Sequence, residues 1–281
     1  MEKKLILRGL LAGALGGLLA FVFARIFAEP QIQAAIDYEA GRDEAQAALD
    51  KAAGLPIDSE GPEVFSRAVQ GNLGIGVGLV LFGVAMGALC TVVYTVLLGR
   101  VGRVRARVLA LLVAGAGFLS LYLVPFLKYP ANPPAIGHPG TIGARTGLYL
   151  LVVAASVLFL VAAVLAGRRL ARKLGNWNAT LAAGAGFVVL SAILLALLPA
   201  LGELSGNVAE YGAQATETPL PLKDPAGRIV YPGFPADTLF EFRLYSVLAQ
   251  VILWATIGLV FGPLAERVLY GGRPAKAAAP A

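Results

Sequence analysis

Five stretches of this chain run for 20 residues or more without a charged side chain: 68–99, 108–127, 146–167, 174–202 and 244–265. A bilayer core of about 30 Å is crossed by roughly 20 apolar residues, each rising about 1.5 Å along a helix. Every stretch is therefore long enough to span it. A sixth, 5–28, is interrupted only by Arg8 and Arg25. Both lie near its ends, where a long side chain can reach the headgroups. Such runs cannot be hidden in the core of one small soluble domain.

Composition points the same way. Hydrophobic residues make up 58% of the chain and charged ones 14%, against about a quarter charged in an ordinary soluble domain. The expected fold is an all-α integral membrane protein of six transmembrane helices arranged as three hairpins, with spans at about 5–28, 72–99, 107–127, 146–167, 177–201 and 244–270. Residues 1–272 would form one membrane domain, with ordered extracytoplasmic loops at 29–71, 128–145 and 202–243. Residues 273–281 would be a disordered cytoplasmic tail. The first apolar stretch exceeds the usual length of a signal-peptide core, so it reads as a retained span.

The net charge of +6 would suit a nucleic-acid binder if the charges were mixed, but they are sorted. Lys3, Lys4, Arg8, the run Arg100 to Arg107, the run Arg168 to Lys173, and Arg267, Arg273 and Lys276 fall on one side of the expected spans. Together they are 14 of the 23 basic residues. Short basic connections mark the cytoplasmic face, which places both termini of this multi-pass protein in the cytoplasm. Fifteen of the 17 carboxylates lie in the opposite loops with nine basic residues, leaving the outer face about six charges negative. That field would concentrate cations at a mouth. It also has a plainer origin, since loops outside the membrane are left acidic by default.

Within the expected spans, glycines recur at four-residue intervals: Gly9, Gly13 and Gly17; Gly74 and Gly78; Gly83 and Gly87; Gly258 and Gly262. Small residues at this spacing let membrane helices approach closely. Residues 30–49 have helix-favouring composition, with Pro30 acceptable in a first turn. Residues 128–143 hold four prolines and three glycines and exclude a helix. The even-numbered spans are each entered from an outer arginine: Arg67 after Phe65, Arg145, and Arg243 after Phe242.

No Walker A, HExxH, GxSxG or CxxC pattern is present, so an enzyme is not expected. The middles of the spans carry no charged residue, which argues against a proton relay there. Glu29, Gln33 and Asp37 recur every four residues and would share one helix face. With Glu39, they offer oxygens that a divalent cation accepts. The plainer alternative pairs Glu29 with Arg25, one turn earlier. His138 is the only histidine; it is an ordinary loop residue or a ligand for a first-row metal. Met86 and Cys90 read as packing.

Several strings carry a more specific likeness. They are Glu29-Pro30 with Ala35-Ile36-Asp37-Tyr38-Glu39; Leu127-Lys128-Tyr129-Pro130-Ala131-Asn132-Pro133-Pro134 with Gly137-His138-Pro139; Thr141-Ile142-Gly143-Ala144-Arg145-Thr146; and Phe234-Pro235-Ala236-Asp237 leading to Phe242-Arg243-Leu244. In these the chain resembles the CbtA family, predicted cobalt transporter subunits of bacteria. The resemblance implies uptake of Co2+, with Ni2+ not separable from it, as cargo for cobalamin synthesis rather than as a permanently bound cofactor. It also implies a small, His-rich, one-helix membrane partner of the CbtB type. On this basis Glu29, Asp37, Glu39, His138 and Asp237 are the candidate metal contacts. Arg25, Arg145 and Arg243 are expected to pin the outer helix ends. No nucleic-acid partner is expected, and a homo-oligomer is compatible with the sequence. The rival from another class is a non-transporting scaffold or assembly factor with folded outer loops, which accounts well for a charge-free interior.

Overall fold

A computed structural model describes residues 2–56, 66–102 and 104–271, apart from the side chain of Glu210. Asp58, Glu60, Glu63, Phe65, Arg103, Arg273, Lys276 and the expected tail at 273–281 lie outside the described residues. Long helices dominate: α1 (Glu2–Ala52), α2 (Arg67–Leu97), α3 (Ala106–Lys128), α4 (Ile142–Leu197) and α6 (Ala236–Tyr270), with a short α5 (Ser205–Tyr211). All but α5 are long and apolar enough to cross a bilayer. The protein is thus an all-α membrane protein in its main elements.

Two departures from the sequence-based expectation are local. The first helix does not stop near residue 28 but continues through Pro30 to Ala52. Pro30 lacks the N–H that would bond the Ile26 carbonyl, a cost the Ala-, Gln- and Glu-rich residues beyond it outweigh by their helix preference. The second departure is a small β-hairpin in the proline-rich loop, β1 (Leu222–Lys223) against β2 (Ile229–Tyr231), antiparallel with Leu222 opposite Tyr231. Five residues between the strands hold Gly227 at φ 81°, which its missing Cβ permits.

Helix α4 is 56 residues long but not uniform, because Gly175 has φ 73° and ψ 166° inside it. That conformation is essentially confined to glycine. It splits the element into two apolar helical segments joined at Gly175. Large apolar side chains along both segments are exposed, Trp177 at 75% and Leu197 at 79% among them. In water these would be costly, whereas lipid tails solvate them. Helices α2 and α3 each contain a π-helical turn, at Gln70–Gly74 and Phe118–Leu123.

The chain groups into two compact units. The first comprises Met1–Glu29, Glu63–Leu119 and Tyr245–Ala281; the second comprises Pro30–Pro62 and Ser120–Leu244. In the first, α1 and α2 meet backbone to backbone. A Cβ added at Gly83 or Gly87 would strike the carbonyl oxygens of Gly13 and Gly9, and one at Gly17 would strike that of Leu79. The glycine periodicity is therefore a packing seam, except at Gly74 and Gly78: a Cβ at Gly74 would meet only Val69 of its own helix, at 3.7 Å, and one at Gly78 nothing within 4 Å. Gly258 and Gly262 of α6 face Ala114, Leu111 and Arg107 of α3, and Tyr94 packs edge-on against Phe261 at 5.0 Å. Cys90 is buried in this packing. Arg8 donates to the Leu264 carbonyl, and Arg107 pairs with Glu266.

The second unit has an apolar cluster of Ala35, Tyr38, Ile136 and Phe234, with Tyr231 and Leu239 against it. Tyr38 lies 4.9 Å from Phe234 and donates through its hydroxyl to the Pro232 carbonyl. Gly41 gives Tyr231 room, since a Cβ there would collide with the tyrosine hydroxyl. The irregular segment between α3 and α4 is held by Tyr129, which is buried and donates to the Pro199 carbonyl at 3.1 Å.

Candidate functional site

In the first unit the polar centre is Glu29. It is 9% exposed, and its Oε1 accepts from Arg67 at the start of α2. Glycine at position 71 makes room for the carboxylate, because a Cβ there would meet Glu29 Oε1. Its second oxygen, Oε2, is buried and has no hydrogen-bond partner among the described residues. Glu29 is thus paired with Arg67 and not, as its helical spacing allowed, with Arg25. Arg25 is exposed and donates from Nε to Asn72 Oδ1 at 2.8 Å, while Asn72 donates to the Ala68 carbonyl. The π-helical turn at Gln70–Gly74 includes both Gly71 and Asn72, so one local irregularity supplies the partner of Arg25 and the space for Glu29.

The second unit gathers His138, Thr141, Arg145, Asn207 and Glu217. His138 caps a short 3₁₀ turn, Pro139–Thr141, its Nδ1 accepting from the Gly140 N–H at 2.9 Å. In the neutral ring this puts the proton on Nε2. Glycine at 206 lets α5 come close, since a Cβ there would lie 3.2 Å from Thr141 Cγ2 and 3.4 Å from His138 Nδ1.

The side chain of Glu217 has no solvent exposure. Its Oε1 accepts from Thr141 Oγ1 and Asn207 Nδ2, each at 2.8 Å, and its Oε2 accepts from Arg145 at 3.2 Å. A buried carboxylate must be paired and bonded in this way. Asn207 also donates to the Leu201 carbonyl at 2.7 Å. The centre ties α5, the start of α4 and the loop after α5 together; both Glu217 oxygens accept from protein donors, while Asn207 Oδ1 is buried without a hydrogen-bond partner among the described residues.

The remaining expected contacts are apart from it. Asp37 is exposed and accepts from Gln33 at 2.8 Å; Glu39 is exposed; Asp237 stands exposed in the first turn of α6. Glu29 belongs to one unit, and Asp37, Glu39, His138 and Asp237 to the other. Among the described residues no three His, Cys, Asp or Glu side chains are grouped as a metal ion requires. Arg145 anchors through Glu217, and Arg243 donates from Nη2 to Asn132 Oδ1 at 2.7 Å. In the hairpin, the Arg228 backbone N–H donates to Asp224, as does its guanidinium, and these bonds hold the Asp224 carboxyl below the ordinary carboxylate value.

Glu217 and Asn207 were not singled out from sequence. Glu217 was one of many loop carboxylates and follows no helical spacing, so its burial had no local signal.

No curated protein and no solved structure matches the chain. A family model described as "Probable cobalt transporter subunit (CbtA)" matches residues 2–266 of the 281, and the chain therefore belongs to the CbtA family.

Proposed function

We propose that this protein is the membrane-spanning permease subunit for uptake of a divalent transition-metal cation, cobalt being the ion named in the family description. The observation that carries the proposal is Glu29. A carboxylate oxygen buried without a hydrogen-bond donor is costly, and a passing cation is a partner that would offset the cost. The ion is cargo. With no ligand cluster among the described residues, it would be held transiently, Glu29 binding it most directly. Asp37, Glu39, His138 and Asp237 would attract it on an acidic outer face.

In this proposal the two segments of α4 joined at Gly175 are separate spans, which with the other four long helices makes six spans in three hairpins. Both termini are cytoplasmic. The membrane potential drives entry, worth about 2.3 kcal/mol per charge per 100 mV, hence about twice that for a divalent ion. A small His-rich subunit would supply imidazoles, of which this chain has one.

Uptake of radiolabelled cobalt tests the proposal, in cells lacking other cobalt systems and expressing this chain with or without the small partner. Saturable, potential-dependent uptake is expected, and Glu29→Ala should reduce it at least tenfold at equal membrane abundance. Uptake unchanged in that variant removes Glu29 from the path. No uptake by the native chain, alone or partnered, would favour the scaffold alternative.

A further inference from the structure

The three arginines that precede apolar helical stretches are not compensated alike. Arg67 is paired with Glu29 and Arg145 with Glu217. Arg243 is part-buried and its described side-chain bond goes to a neutral amide, Asn132. Its Nε is buried without a hydrogen-bond partner. A guanidinium withdrawn from water with no carboxylate beside it is an uncompensated charge.

Arg243 also lines a cavity of about 230 Å³ in the second unit, together with Lys128, Asn132, Thr216, Thr218 and Glu217. Lys128 makes no ion pair or hydrogen bond among the described residues. Glu217, the carboxylate in the lining, is already committed to Arg145, Thr141 and Asn207. The nearby Glu203 carboxylate is turned onto the Ala200 N–H. The walls thus present two cations and a pair of threonine hydroxyls, and the one carboxylate among them is already paired. A metal cation would be repelled there.

We propose that this cavity is an oxyanion site for a phosphate group, with Arg243 and Lys128 as its charged contacts. Its position favours a lipid as the source. Lys128 is the last residue of apolar α3, and Arg243 directly precedes the charge-free run of α6, so both stand where headgroup phosphates lie. A second cavity of about 720 Å³, lined mostly by Tyr122, Phe126, Tyr149, Leu150 and prolines, with Arg145 and Thr146 at its wall, shares Pro130, Asn132 and Leu201 with the first. A largely apolar cavity sharing a wall with the cationic one suits an acyl chain as the other suits its phosphate. The proposal does not rest on the cobalt path.

Thermal unfolding of the full chain in detergent tests it at constant ionic strength, with dihexanoyl phosphatidylglycerol, inorganic phosphate or dihexanoyl phosphatidylcholine added. Ligand that binds only the folded state raises Tm in a saturable way. Phosphatidylglycerol should do so, and Lys128→Gln should raise the half-saturating concentration about tenfold, the effect of about 1.4 kcal/mol. Arg243→Gln should abolish the response; should that variant not fold, Lys128→Gln decides. Equal half-saturation by inorganic phosphate would keep the site and assign it to the free ion, and a matching response to phosphatidylcholine would show that the phosphodiester suffices. No saturable rise with any of the three probes, or the native half-saturation in Lys128→Gln, would overturn the proposal.

Discussion

Glu217 and Arg145, 72 residues apart in the chain, form an ion pair at 3.2 Å in which the carboxylate is fully buried and the arginine side chain is 28% exposed. The pair joins the loop after α5 to the first turn of α4. Thr141 and Asn207 complete the coordination of the carboxylate.

Removing the acid from this centre leaves Arg145 and two neutral donors without their acceptor. Glu217→Ala is expected to destabilise the protein by about 2–4 kcal/mol. Glu217→Gln should cost less, because its amide oxygen still accepts from Thr141 or Asn207. Thermal unfolding in detergent distinguishes the two, and equal Tm values for Glu217→Ala and the native chain would refute the anchoring role.

The glycine seam makes a contrast within one helix. Gly87→Ala places a methyl group against the Gly9 carbonyl and should destabilise by about 1–3 kcal/mol, the range for overpacking. Gly78→Ala meets nothing within 4 Å and should be neutral or slightly stabilising. Folded yield by size-exclusion chromatography and Tm would separate them.

Gly175 should resist replacement for a different reason. Its φ of 73° with ψ of 166° costs a side-chain-bearing residue about 1–3 kcal/mol, although there is open space around it. Gly175→Ala is expected to lower Tm, whereas Gly184→Ala, a glycine in the same helix with no positive φ and equal space, should not.

The Asp224 turn carries a pH dependence. Backbone and side-chain hydrogen bonds from Arg228 hold its carboxyl, in the folded state, below the ordinary carboxylate range. Its contribution is therefore fully present above the unfolded pKa and is lost as pH falls through the folded one. Protection of the 222–231 hairpin amides, taken relative to their intrinsic exchange rate at each pH, should fall with acidification through that range. In Asp224→Asn the hairpin should be looser at neutral pH, and this acid-induced change should be absent.

Membrane character, the long helices, the packing glycines and the family likeness were legible in the amino-acid sequence, because each rests on local composition or on a spacing of a few residues. Run length against bilayer thickness decides a span. Four-residue periodicity places Gly9, Gly13 and Gly17 on one face whatever lies opposite. Propensity likewise foretold a helix beyond Pro30, but not that it would be continuous with the first span. The polar centres were decided by tertiary structure. Glu29 is joined to Arg67 rather than to its helical neighbour Arg25, Glu217 to Arg145, and Arg243 to Asn132, at separations of 38, 72 and 111 residues. No period relates such positions. Only the path of the chain sets which donor reaches which carboxylate, and therefore which arginine is left without one.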